Sequence, residues 1–173
     1  MSTDSRRVLA EGKYLRLVQQ GGWEYAERCN ATGAVLIVAI TREKKVLLTE
    51  QYRLPVSARV IELPAGLVGD IPEQADEDWA EAARRELLEE TGYDARGMTH
   101  MANGPISAGF GNETIAIFRA TGLKKVEAGG GIEGEDIVVH EVPLDRIRPW
   151  LQSKARAGLL VDPKIYAGLY FAR

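Results

Sequence analysis

Short apolar runs separated by glycine and polar turns fill the first third of the chain. Tyr14–Val18 and Trp23–Arg28 read as two strands, and Gln19-Gln20-Gly21-Gly22 between them is a hairpin signal. Ala34–Ile40, after Gly33, is an unbroken apolar run of strand length and predicts a strand buried on both faces. Thr41–Lys44 is a polar turn, Val46–Tyr52 the returning strand, and Val60–Leu63 a further short strand beyond Pro55. Gly66, Gly69 and Pro72 mark the stretch from Pro64 to Gln74 as loop. The period then changes. Over Asp76–Thr91, Ala80, Ala83 and Leu87 recur at spacings of three and four, which predicts an amphipathic helix stopped by Gly92. Met98–Asn103, Thr114–Ala120 and Ile137–Val142 read as strands, Gly129-Gly130-Gly131 as loop, and Pro143–Leu151 and Asp162–Phe171 as two terminal helices. Strands, one helix, strands and then helices predict an α/β fold, with one mixed sheet packed between helices. No linker or repeat divides the 173 residues.

Composition narrows the chemistry. Twenty-two basic against 25 acidic residues give a net charge of −3 and no globally basic surface, which argues against nucleic acid as a partner. A single cysteine, Cys29, excludes an intrachain disulfide and makes the cytoplasm the default expectation. Two histidines, His100 and His140, argue against a histidine-built zinc site. The longest apolar run is too short to span a bilayer, and the start has no apolar signal-peptide region, so no membrane association is expected.

The small net charge hides an asymmetry. Glu73 to Glu90 holds eight acids and two arginines, a charge of −6, while the other residues sum to +3. Within that window Glu86, Glu89 and Glu90 share one helical face, since they are three and four residues apart. Like charges at that spacing repel. Such a face either lies free in water or carries cations, and its hard oxygen donors suit Mg²⁺ or Mn²⁺ rather than zinc. Arg85 is four residues from both Glu81 and Glu89 and can hold a carboxylate in place.

The wider context selects between these readings. From Glu62 the chain runs ELPAG, LVGDIPEQADEDWAEAA and RRELLEETGY, which resembles the Nudix box, G-x5-E-x7-R-E-U-x-E-E-x-G-U with U a bulky apolar residue. Glu77, Arg85, Glu86, Leu87, Glu89, Glu90, Gly92 and Tyr93 match at intact spacing. The opening glycine, Gly66, lies five residues too far upstream, so the loop before the helix carries an insertion. The resemblance implies a Nudix α/β/α sandwich with a mixed central sheet, in residues 33–173, behind an amino-terminal β-hairpin extension in residues 1–32. It also implies Mg²⁺ (or Mn²⁺) held by Glu86, Glu90 and the Ala65 carbonyl. Glu89 stands beside them, Arg85 orients the carboxylates, and Glu77 supports.

Flanking motifs resemble the ADP-ribose pyrophosphatase and nucleotide-sugar hydrolase branch. Glu50-Gln51-Tyr52-Arg53-x-Pro55 implies that Arg53 contacts the substrate phosphates. Glu11-Gly12-Lys13-Tyr14 and Trp23-Glu24 resemble strands that family members exchange across a homodimer, which implies that Tyr14 and Trp23 stack on a base, with one Trp from the partner subunit. Glu24 would accept from its exocyclic amine, and Arg28 would reach ribose or phosphate. The branch has a Ser-Pro-Gly loop where this chain has Ser107-Ala108-Gly109, so Ala108 stands where a proline accompanies ADP-ribose preference. Glu113 in that loop implies a ribose or metal contact. Gly129–Ile137 resembles a mobile loop bearing Glu-x-Glu-Asp-Ile, with Glu133 as general base and Glu135 as metal ligand. The implied reaction is hydrolysis of ADP-ribose to AMP and ribose 5-phosphate. Hydrolysis of GDP-mannose or ADP-glucose is the alternative, and a non-catalytic nucleotide sensor a third reading.

Overall fold

Gly33–Ala39 forms the central strand, and all seven of its residues are buried. The computed structural model describes residues 5–132 and 134–172. In chain order the strands are β1 (Arg7–Glu11), β2 (Leu15–Gln20), β3 (Trp23–Arg28), β4 (Gly33–Ala39), β5 (Lys45–Arg53), β6 (Ala58–Glu62) and β7 (Ala65–Val68). Helix α1 (Trp79–Thr91) follows, then β8 (Tyr93–Asp94), β9 (Gly97–Pro105), β10 (Thr114–Thr121), β11 (Lys124–Lys125) and β12 (Val138–Pro143). The chain ends with α2 (Ile147–Arg156), β13 (Leu160–Val161) and α3 (Lys164–Phe171).

The strands expected in one mixed sheet are divided between two, each with one parallel pairing. The first runs β7-β4-β10-β9, with β4 and β10 parallel, and the second runs β12-β5-β6-β13, with β6 and β13 parallel. Alternation along β4 explains why a strand between two layers is apolar throughout. Val35, Ile37 and Ala39 pack toward α1 with Ala82, Ala83 and Leu87. Leu36 and Val38 pack on the other side with Leu48 and Ile61 of the second sheet and with Leu151 and Ile165 of the terminal helices. Helix, sheet and helices thus form the expected α/β sandwich. Among the described residues no helix is long and apolar enough to cross a membrane.

Several boundaries differ from expectation, and three have a clear local cause. The stretch read as loop contains β7, antiparallel to β4 from Gly33–Val68 to Leu36–Ala65. Its small residues give little alternation, and only the exposed edge of β4 recruits them. The first helix begins at Trp79 rather than Asp76, because Asp78 is its N-cap and accepts from Ala80 N at 2.9 Å. Pro72–Gln74 upstream forms a separate short turn. Pro143 ends β12 instead of opening a helix. The helix starts at Ile147 and tolerates Pro149 in its first turn, where backbone N–H groups have no helical partner. The amino-terminal hairpin gains β1 as a third strand, and the sheet is tied to the 105–113 loop by Ala26 N to Phe110 O at 2.8 Å.

Candidate metal and substrate site

Helix α1 carries the acidic cluster on the side facing β7. Glu90 is only 6% exposed and the Glu86 side chain is mostly covered, so this is no solvated acidic face. Arg85 uses its whole fork here. Nε and Nη2 donate to the two oxygens of Glu77 at 3.3 and 3.2 Å, Nη2 also to Leu67 O at 3.2 Å, and Nη1 to Glu86 Oε1 at 2.7 Å and Glu89 Oε2 at 3.5 Å. One planar cation thus ties three carboxylates to the backbone of β7. Of the two carboxylates at four-residue spacing, Arg85 meets Glu89 and not Glu81. Glu81 meets Arg84 at 3.6 Å, because the Arg85 side chain turns toward β7 and Glu77, away from the exposed side where Glu81 lies.

Gly66 explains how the cluster survives the insertion before it. A Cβ there would lie 1.8 Å from Glu86 Cδ, so the bare glycine is the wall against which this carboxylate rests. Gly66 and Glu77 both keep contact with the site, and the extra residues loop out between them. One of these, Asp70, comes within 3.8 Å of Arg85 Nη2, and no sequence signal singled it out.

Burial dominates the electrostatics. It pushes the Glu86 carboxyl up. Arg85 pulls it down, Glu89 and Asp70 push again, and it stands at about 7. Burial likewise raises Glu90 to about 8, against the Ala65 N–H that donates to Glu90 Oε2 at 3.1 Å and against the charge of Arg53, while Glu86 and Glu135 push it higher. Arg53 and Glu135 are therefore felt at Glu90. Arg53 also donates from Nε to Glu62 Oε2 at 2.8 Å, across the β5–β6 hairpin. Glu62 is a site neighbour that only strand register reveals. Among the described residues no three acidic, cysteine or histidine side chains already converge on one point. Glu86 leans on Arg85, and Glu90 on Ala65.

The glycine-rich segment meets the far end of α1. Gly130 N donates to Glu90 O at 2.9 Å and Gly131 N to Glu89 O at 3.0 Å, capping the last carbonyls of the acidic helix. Gly129, at φ +72°, would drive a Cβ to 2.3 Å from Thr91 C. These glycines permit close approach between the backbones. Glu135 folds back, accepting from Ile132 N at 3.0 Å. Glu133 lies outside the described residues.

A second recess lies between the amino-terminal sheet and the 105–113 loop. It encloses about 230 Å³ and is lined by Leu15, Ala26, Arg28, Ile106, Phe110 and Glu113. Arg28 and Glu113 form an ion pair at its wall, a meeting of two candidate residues that spacing did not predict. Tyr14 and Trp23 are 52% and 62% exposed, and Glu24 is exposed beside Trp23. The register Leu15–Arg28 to Gln20–Trp23 puts the two rings at opposite ends of the hairpin, on the order of 20 Å apart. One copy of the chain cannot sandwich a base between them.

Comparison with known proteins places this architecture. The NUDIX domain family model matches residues 31–160. The chain belongs to the Nudix family. It is 37% identical over 123 residues to a methanol dehydrogenase activator of Bacillus methanolicus, covering 70% of this chain and 64% of that protein. It is 34% identical over 125 residues to an ADP-ribose pyrophosphatase of Bacillus subtilis (strain 168), at 70% and 64% coverage. It is 33% identical over 123 residues to a GDP-mannose pyrophosphatase of Escherichia coli (strain K12), at 66% and 61%. The matched segment spans less than two thirds of the length of these relatives. A crystal structure of an ADP compounds hydrolase superposes with a TM-score of 0.70 at 20% identity, over 96% of this chain and 88% of that one, and so shares the fold.

Proposed function

We propose that this chain is a Mg²⁺-dependent pyrophosphatase that hydrolyses ADP-ribose to AMP and ribose 5-phosphate, working as a cytoplasmic homodimer. One observation carries the reading: Glu90, buried, and Glu86, largely buried, sit one turn apart on a helix of the matched domain, with Glu86 against Gly66 and Glu90 against the Ala65 N–H. Crowding buried acids costs stability unless a cation offsets them. The donor set is all hard oxygen and fits Mg²⁺ or Mn²⁺.

Glu86, Glu90 and the Ala65 carbonyl would hold the ion, with Glu135 as a further donor. Bound there, a divalent cation neutralises diphosphate charge and lowers the pKa of a bound water. The protein's own groups do the rest. Arg85 keeps Glu86 and Glu89 oriented, and Gly66 gives Glu86 room. Arg53 offers a cation to the phosphates. Glu133 serves as base, Arg28 contacts ribose or phosphate, and Glu113 contacts ribose or metal.

Residues 1–32 form the exchanged element and 33–173 the catalytic domain. Exposed Leu15 and Leu17 on one face of the amino-terminal sheet, with Phe110 beside them, and exposed Trp23 on the other face support a second copy as the cover. Tyr14 from one subunit and Trp23 from the other then supply the two faces of a base sandwich.

Similarity to a GDP-mannose pyrophosphatase and Ala108 in place of proline favour a second reading, hydrolysis of another nucleoside diphosphate sugar. The test is product analysis with ADP-ribose, ADP-glucose and GDP-mannose at millimolar Mg²⁺. AMP from ADP-ribose as the fastest product supports the first reading. GMP from GDP-mannose supports the second. Tight nucleotide binding without turnover would replace both with a sensor.

A further inference from the structure

A second ion network lies beside the site. Glu50 on β5 is 9% exposed. Its Oε1 accepts from Arg59 Nε at 2.8 Å and its Oε2 from Lys154 Nζ at 3.1 Å, and His140 Nε2 stands 2.8 Å from Oε2. Burial raises this carboxyl, but the bonds from His140, Lys154 and Arg59 outweigh it and bring it down to about 2, so Glu50 is a fixed anion. Arg59 spends the rest of its fork elsewhere. Nη1 donates to Asp136 Oδ2 at 2.8 Å, and Nη2 reaches both the Asp136 carbonyl at 3.4 Å and the Glu50 carbonyl at 3.3 Å.

This grip differs from an ordinary surface ion pair. Such a pair holds a side chain loosely and contributes little. Here one end of the guanidinium is immobilised on a buried carboxylate, and the other grasps the side chain and main chain of the same loop residue. The glycine-rich segment thus has two anchors. Gly130 and Gly131 fasten one end to the carbonyls of Glu89 and Glu90. Asp136, next to Glu135, is fastened at the other end.

We propose that Arg59, backed by Glu50, is a positioning residue that fixes the backbone at Asp136 and thereby sets where Glu135 stands relative to the acids of α1. The inference rests on the function proposed above. Arg59 touches no substrate in it and acts only through Asp136.

The test uses the full chain with Arg59→Ala, Asp136→Ala and Arg59→Lys. Hydrogen–deuterium exchange and steady-state hydrolysis of ADP-ribose with Mg²⁺ are measured on each. The first two changes should speed exchange across 134–137 by about tenfold or more and leave β4 and α1 protected. They should lower kcat by about 10- to 100-fold, the scale of a misplaced reacting group, with KM within about twofold. Arg59→Lys should restore less than half of the loss, since it keeps the charge but lacks the fork. Asp136 has an 80% exposed side chain, so its variant keeps the fold even where Arg59→Ala does not. Unchanged exchange at 134–137 in Asp136→Ala overturns the anchor. Faster exchange with unchanged kcat overturns the positioning role. Absence of turnover in the unaltered protein counts against the proposed function instead, and the exchange measurement still decides the anchor.

Discussion

The acidic side of α1 and the amino-terminal sheet each present side chains of strong chemical character, but in opposite states. Glu90 is buried and Glu86 half-buried, and Arg85, the Ala65 N–H and the Gly66 backbone contact them, all from the same chain. Tyr14, Trp23 and Leu15 face solvent, and the two rings stand at opposite ends of one hairpin. The first region is assembled from one copy and crowds like charges on one helical face. The second presents large apolar and aromatic side chains to solvent. The acidic side of α1 is thus built within one copy, while under the proposed function the recognition of a base would need a second copy.

The sharpest way to break this contrast is at Glu90. Glu90→Gln should lower kcat by at least about a hundredfold with the fold intact, because it removes a charge that would hold metal against the reacting phosphate. Near-normal turnover would remove the metal assignment from α1. Gly66→Ala comes next. Its Cβ must displace the Glu86 carboxylate, which is the movable end of a flexible side chain. Activity should fall about tenfold or more while the melting temperature changes little, and equal activity would show that Glu86 need not rest there.

Trp23→Ala probes the other region. Its effect should fall on KM, raised about tenfold, the scale of one base-stacking contact, with kcat largely preserved. Sedimentation should find the unaltered chain dimeric. A monomer with full activity would return Trp23 to ordinary surface.

The smallest effect is the pH dependence of metal binding. Burial raises Glu86 and Glu90 above their unfolded value of 4.5, so in the metal-free chain the stability tied to their protonated forms is full below that value and is lost as pH rises through about 7 and 8. Mg²⁺ competes with those protons. The rise in melting temperature on adding Mg²⁺ should be larger at pH 8 than at pH 6. A rise independent of pH would detach the ion from these two acids.

Much of the molecule was legible without coordinates where a local pattern repeats. The buried strand at Ala34–Ile40, the helix stop at Gly92 and the shared face of Glu86, Glu89 and Glu90 all follow from residue spacing. Contacts made by pairing were not. β7 hid among glycines because its reason to be extended is the edge of β4. Arg53 with Glu62, and Arg28 with Glu113, meet only after strands and loops fold together. Asp70 reaches Arg85 because the inserted residues loop back over the helix.

The sequence by itself determined the family, the α/β order of elements and the presence of a carboxylate-rich helix, since these depend on periodicity and fixed spacing within one segment. Only the tertiary structure decided which of those carboxyls are buried, which cation each one meets and that Tyr14 and Trp23 cannot close on one base within a single chain. Burial and distance are set by residues far apart in sequence, and no local pattern encodes them.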